Sequence, residues 1–288
     1  MDFCCIMEEG GMKMKRAVKI GCLIVLVLFV CTTAWVLNAF FGNPVSMALA
    51  RRGAQTYLEA KYSDLPLGIE HFGYSFKDGN YYMVVSLPGS KDVHFSIHMR
   101  PSGIVRYDTY DSVTSGWNTW DRLEREYRAK TDALFDKEDF ELRHDIAFGE
   151  IKIAEEAVGD YQPIQYGVDL EQLVIDGEYD VKELATEAGH IIFYMQHEDV
   201  TFETAAKGML RLREILDEND VPFFAMDFVL RLPREEGQPG NGGPVINVRE
   251  FPRSAIYEEG MIERVKAAHE QLEAYYAEQD KEMKQEAR

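Results

Sequence analysis

The chain has 288 residues, with 31 basic and 50 acidic side chains, a formal charge of −19 and 46% hydrophobic residues. So acidic a surface repels nucleic acid and anionic polymers, which excludes nucleic acid as a partner. The cysteines are Cys4, Cys5, Cys22 and Cys31, so no disulfide, zinc–thiolate site or cysteine nucleophile can form after residue 31.

Residues 1–16 read as a cytoplasmic tail. Within it, Glu8-Glu9-Gly10-Gly11 back-translates to a purine-rich run like a ribosome-binding site, which points to a start at Met12 or Met14. Residues 17–41 read as a transmembrane helix: the 22 residues after Lys19 carry no charge and suffice to cross a bilayer core. Thr32-Thr33-Ala34 resembles a cleavage site, but the apolar run continues through Trp35, Val36, Leu37 and Phe40, which favours an uncleaved anchor. Neither Cys22, preceded by Lys19-Ile20-Gly21, nor Cys31, preceded by Val30, sits in a lipoprotein signal. Lys13, Lys15, Arg16 and Lys19 precede the apolar core, against Arg51 and Arg52 after it. The positive-inside bias then predicts a single-pass plasma-membrane protein with the bulk of the chain extracytoplasmic. That bulk carries 27 basic and 47 acidic side chains, about −20 net.

The predicted fold class is α+β: the transmembrane helix, then two extracytoplasmic α+β domains at 43–138 and 142–288. In the first, Asn43 is placed to cap a helix with Pro44 at its first position. Met47, Ala50, Ala54, Tyr57, Leu58 and Tyr62 form that helix's apolar face. From Gly68 to Tyr110 the period changes to two, broken by turns at Asp78-Gly79-Asn80, Pro88-Gly89-Ser90 and Pro101-Ser102-Gly103. This predicts a four-stranded antiparallel meander with one apolar and one wetter face. A second helix, with Trp117, Trp120, Leu123, Tyr127 and Leu134 on one stripe, is expected to cover the same sheet.

His94 and His98 would be neighbours on a helix, as in zinc proteases. On a strand the same spacing is about 13 Å, too far to share an ion, and pairing would supply a residue such as Tyr82 or Ser86, neither a preferred ligand for zinc.

In the second domain, strands are expected at Ile146–Ile153, His190–Gln196, Phe223–Leu232 and Val245–Phe251. Gly159, Pro163 and Gly167 mark a loop, and Tyr179–Ala188 a short helix. Thr201 caps a helix with Phe202, Ala205, Ala206, Met209, Leu212 and Leu216 inward. Strand, helix, strand favours a right-handed parallel crossover, giving a β-α-β-β core. Gly237–Pro244 reads as a solvent-exposed hairpin tip; no Gly-Lys-Ser/Thr follows, and it leads into a strand where a phosphate site needs a helix. The last helix places Ile262, Val265, His269, Leu272 and Tyr276 at 3-4-3-4 spacing. Two heptads are too few for a coiled coil, so the stripe is expected to pack on its own sheet.

These stretches carry a resemblance. GNPVSMALARRGAQTYLEAKY after the anchor, YSFKDGNYYMVVSL in the meander, FGEIKIAEEA, VPFFAMDFVLRLP and IYEEGMIERV with YYAEQD resemble the YfjL-like family of uncharacterised single-pass membrane proteins of Gram-positive bacteria. The resemblance implies a surface-exposed protein with two α+β halves and brings no known activity. The helix-plus-meander half is also similar in outline to cystatin-like and PepSY-like modules, which mostly bind.

No catalytic, cofactor-binding or metal-binding residue emerges, and no cofactor is expected. Two functions follow. One is a non-catalytic envelope module, anchored in the membrane through residues 17–41, that binds a protein, a peptide or a wall component. The other is an envelope hydrolase acting on wall or peptide substrates with a carboxylate pair hidden among the acids. A hydrolase needs a concave pocket with two converging carboxylates of raised pKa; a binding module needs an exposed groove or sheet face without them.

Overall fold

The apolar run forms one uninterrupted helix, α1 (Phe3–Phe41), in a computed structural model that describes residues 3–154, 161, 164–234 and 243–286, with side chains from residue 18 to 284. The basic flank at Lys13, Lys15 and Arg16 and the starts at Met12 and Met14 therefore lie outside the described side chains. From Val18 onward α1 is long and apolar enough to cross a membrane, and its best window buries nothing against the protein. An unburied face of Leu, Val and Phe on all sides is what a lipid-facing helix shows.

The chain divides into two units, Met1–Asp111 and Ser112–Arg288. In the first, α2 (Pro44–Lys61) starts as expected, with the Asn43 side chain accepting from the Ser46 N–H at 2.9 Å and Pro44 in the first turn. Strands β1 (Gly68–Ser75), β2 (Asn80–Ser86), β3 (His94–Met99) and β4 (Val105–Asp108) follow in a meander of order β1-β2-β3-β4, every pair antiparallel. Tyr81, Met83, Val85, Phe95, Ile97 and Met99 are buried on one face, and α2 covers them with Ala50 and Ala54. Two alanines at the contact let helix and sheet approach closely. Ser46 is buried there, whereas Met47 is largely exposed.

Asp108 ties the two layers together. Its Oδ2 accepts from Tyr57 at 2.5 Å, Lys61 at 2.8 Å and Tyr62 at 3.0 Å, and its Oδ1 from the Tyr110 N–H at 3.1 Å.

A short turn of helix, α3 (Asp111–Thr114), precedes α4 (Trp117–Phe135). Here the structure corrects an expectation: α4 does not cover the meander. Its Leu123, Tyr127, Leu134 and Phe135 join the core of the second unit, and the Tyr127 hydroxyl donates to the Pro222 carbonyl at 2.8 Å. Strand β5 (His144–Ile151) receives it, and Gly149 leaves the room; a Cβ there would lie 2.5 Å from Thr131 Cγ2.

The second sheet, β5-β6-β7-β8, adds β6 (Gly189–Gln196), β7 (Ala225–Arg231) and β8 (Val245–Pro252). β6 and β7 pair in parallel across α6 (Phe202–Glu218), and the other two pairings are antiparallel. Helix α5 (Val181–Ala188) leads into β6, and Thr201 caps α6 by accepting from the Thr204 N–H at 3.2 Å. The last helix is α7 (Met261–Glu286). It packs on β8 and α6 through Met261, Val265 and Leu272, while Ile262 and Tyr276 of the expected stripe are exposed. The loop residues Gly159 and Pro163 and most of the 237–244 tip lie outside the described residues.

Candidate functional site

Two constellations bring chemistry-bearing side chains together, one in each unit. The first lies on the face of the meander turned away from α2. His71 on β1, Tyr82 on β2, His98 on β3 and Tyr107 on β4 form one row across the sheet. Successive ring centroids are 5.5, 6.4 and 4.4 Å apart. Register makes the row: Tyr82 pairs with His98, and His98 with Tyr107. Gly73 opposite Tyr82 admits its ring, since a Cβ there would fall 2.5 Å from it, and the Tyr82 hydroxyl lies 3.3 Å from His71 Nε2.

On β2 and β3 this face carries Tyr82, Val84, Ser86, His94, Ser96 and His98, with no carboxylate, lysine or arginine. Partial burial lowers the His98 pKa below the ordinary histidine value; Asp78 opposes this and Arg106 adds to it. The imidazole is therefore neutral at neutral pH. On these two central strands a surface of rings and hydroxyls stands out on a chain of −19. The structure also places Ser86 opposite His94 and Tyr82 opposite His98, the cross-strand neighbours that the sequence suggested.

The second constellation is buried at the head of β6. His190 is 1% exposed and Glu250 3%. His190 Nε2 lies 3.3 Å from Asp227 Oδ1, and Nδ1 lies 2.5 Å from the Tyr166 hydroxyl, which also bonds Glu250. With the single Tyr166 proton on Glu250, its oxygen accepts from His190 Nδ1–H. Lys152 Nζ lies 3.6 Å from Glu250 and 3.4 Å from Glu150, and Arg249 Nε 3.2 Å from Asp227.

A β-bulge builds this arrangement. Between Met226 and Phe228 the β7–β8 register slips, so that Arg249 and Glu250 both oppose Asp227, whose Oδ1 accepts the Glu250 N–H at 2.8 Å. Glu250 sits at φ 50°, a left-handed conformation that a side chain rarely adopts. The slip turns its carboxylate towards His190, away from the core side that Val248 and Phe251 occupy. Burial would raise the Asp227 pKa, but the His190 hydrogen bond and charge, the Glu250 N–H and Arg249 together lower it. Burial first, then its bond to Glu250, push the Tyr166 hydroxyl upward.

One ligand atom each from His190, Asp227 and Glu250 lies within 4.8 Å of the others, the spacing of a metal site. The chemistry of the set fits an ion-paired network better. The carboxylates flank opposite nitrogens of one ring, each already meets a cation, and the Tyr166 hydroxyl stands between Glu250 and the imidazole. Sequence reasoning overlooked these residues. The available signal was a titratable residue inside each of three apolar strands: His190 heading HIIFYMQ, Asp227 within FFAMDFVLRL, and Glu250 before Phe251.

Fold and constellations together define a two-unit α+β protein led by one long apolar helix, with a row of aromatic and imidazole rings across the first sheet and a closed polar network in the second. The chain matches the YfjL-like, N-terminal domain over residues 14–109 and the YfjL-like C-terminal domain over residues 126–266, and it belongs to the YfjL-like family. Those matches fall on either side of the division between the two units. No curated protein and no solved structure matches the chain.

Proposed function

We propose that this protein is a membrane-anchored extracytoplasmic module of the cell envelope that binds without catalysing, and that it binds through the outer face of the first sheet. The observation that carries the reading is the His71–Tyr82–His98–Tyr107 row. Rings contact the apolar C–H faces of sugars, while serine hydroxyls and the neutral His98 imidazole match their hydroxyl groups. An acidic chain repels anionic ligands, so the class that fits is an uncharged wall glycan. The four basic residues ahead of the apolar core support the extracytoplasmic placement.

The hydrolase alternative would use Asp227 and Glu250, the carboxylates that converge. Against it, Asp227 is held below the ordinary carboxylate range, both acids are ion-paired, and both His190 and Glu250 are closed to a substrate.

Full-length protein in nanodiscs should co-sediment with insoluble wall glycan stripped of its anionic polymers. Replacing Tyr82 and Tyr107 by Ala should weaken that retention about tenfold, the worth of two ring contacts. Wild type left in the supernatant would rule out the ligand class; equal retention of the variant would rule out the face.

A further inference from the structure

The end of α1 is fastened to the first sheet. The Tyr74 hydroxyl donates to the Ala39 carbonyl at 3.2 Å, and the Phe40 and Phe76 rings stack with centroids 5.7 Å apart. The Tyr81 hydroxyl accepts from the Asn43 N–H at 3.2 Å. Gly42 makes the bend at φ 70°, and a Cβ there would fall 2.3 Å from the Tyr81 oxygen. Three contacts over five residues fix the elbow between α1 and α2, and they bring the β1–β2 hairpin tip beside the end of the apolar helix.

That tip and the start of α2 expose large apolar side chains. Phe76 is 57% exposed and Val45 69%, and Phe40, Phe41 and Leu49 are exposed as well. They continue the apolar surface of α1 beyond Phe41. Charge follows the same boundary. From Gly10 to Leu58 the sequence contains no Asp or Glu, so the carboxylate-free stretch outruns the span well into α2, where Arg51 and Arg52 are the charged residues. The one carboxylate at the tip, Asp78, is held by the Asn80 side chain at 3.2 Å.

We infer that the β1–β2 tip at Phe76 and the first turns of α2 at Val45 and Leu49 lie in the bilayer interface, so that the first sheet is seated on the lipid surface. Continuity with the span names the occupant: it is the same lipid that surrounds α1. Aromatic side chains at a membrane boundary place their rings at headgroup depth, and carboxylates are excluded from an anionic one. The inference rests on the membrane-spanning reading of α1.

The test uses full-length protein in vesicles of three parts phosphatidylcholine to one part phosphatidylglycerol, with the four cysteines replaced by serine. Nitroxide labels are placed singly at Phe76→Cys and, as reference, at Pro88→Cys, past the far end of β2 and roughly 25 Å along the strand direction. Collision with a water-soluble nickel chelate should be several-fold lower at 76 than at 88, and collision with oxygen higher. Equal nickel accessibility at the two sites would overturn the inference. A label-free check uses Phe76→Trp with Trp35, Trp117 and Trp120 replaced by Phe. Its fluorescence should be quenched by lipids brominated near the headgroup, and unquenched emission would overturn the inference. Carbonate washing of the same vesicles separates the two readings. Loss of the protein to the supernatant sinks the span and this seating together; retention with an aqueous Phe76 sinks the seating alone.

Discussion

Asp108 shows how one side chain can hold two layers. Burial would raise its pKa, yet hydrogen bonds from Lys61, Tyr57, the Tyr110 N–H and Tyr62 outweigh that and bring it down to about 2. The folded value lies below the ordinary aspartate value of about 4, so the clamp contributes fully above that pH and is lost as pH falls towards 2. Asp108→Asn should therefore lower stability at pH 7 by about 1–3 kcal/mol and flatten the loss of stability between about pH 4 and 2. Urea melts across that range read both, and an unchanged acid slope would show that the clamp contributes nothing. In the other unit, His190→Ala would leave Asp227 and Glu250 buried without the donor between them. Removing one partner from such a network costs about 3–5 kcal/mol, so the thermal transition should fall sharply. A transition within a degree or two of wild type would mean that the network is not what holds β6, β7 and β8 together at that end.

Two helices were ambiguous for different reasons. α4 has a clear apolar stripe, but a stripe records only that some surface covers it. Both flanking sheets offer an apolar face, and the choice went to β5, where Gly149 admits Thr131 and the Trp120 indole reaches the Ile151 carbonyl at 2.8 Å. α7 has a stripe that reads as a short heptad seam, and the structure rotates it: Val265 is 0% exposed and Ile262 42%. The Asn247 N–H and His269 Nδ1, 3.2 Å apart, anchor the helix to β8. Val265→Asp should accordingly cost about 3 kcal/mol or more, and Ile262→Asp no more than about 0.5 kcal/mol. Thermal melts with sedimentation of both variants check this. A large loss at Ile262, with a change in oligomeric state, would restore the seam.

At the scale of the whole molecule, the long apolar helix is the basis of the proposed membrane anchoring. Full-length protein should stay in the membrane fraction through salt and carbonate washes at its uncleaved mass. A soluble form starting near Trp35 would overturn the anchor. Protease added to intact, wall-stripped cells should remove the chain after Gly42, and full protection would reverse the orientation.

The apolar run from Lys19 to Phe41, the four period-two strands and the Asn43 and Thr201 caps were legible because each depends on neighbours within a few residues. Lipid-spanning length, strand alternation and cap chemistry are all local. The sheet that receives α4, the face of α7 that turns inward, and the meeting of His190, Asp227, Glu250 and Tyr166 depend on residues up to 95 positions apart. A bulge of one residue in β8 aims Glu250 at the imidazole, and no local pattern distinguishes that slip from an ordinary alternating strand. The ring row stands between these cases. Strand alternation assigned Tyr82 and His98 to particular faces, but only the pairing register brought His71, Tyr82, His98 and Tyr107 into line.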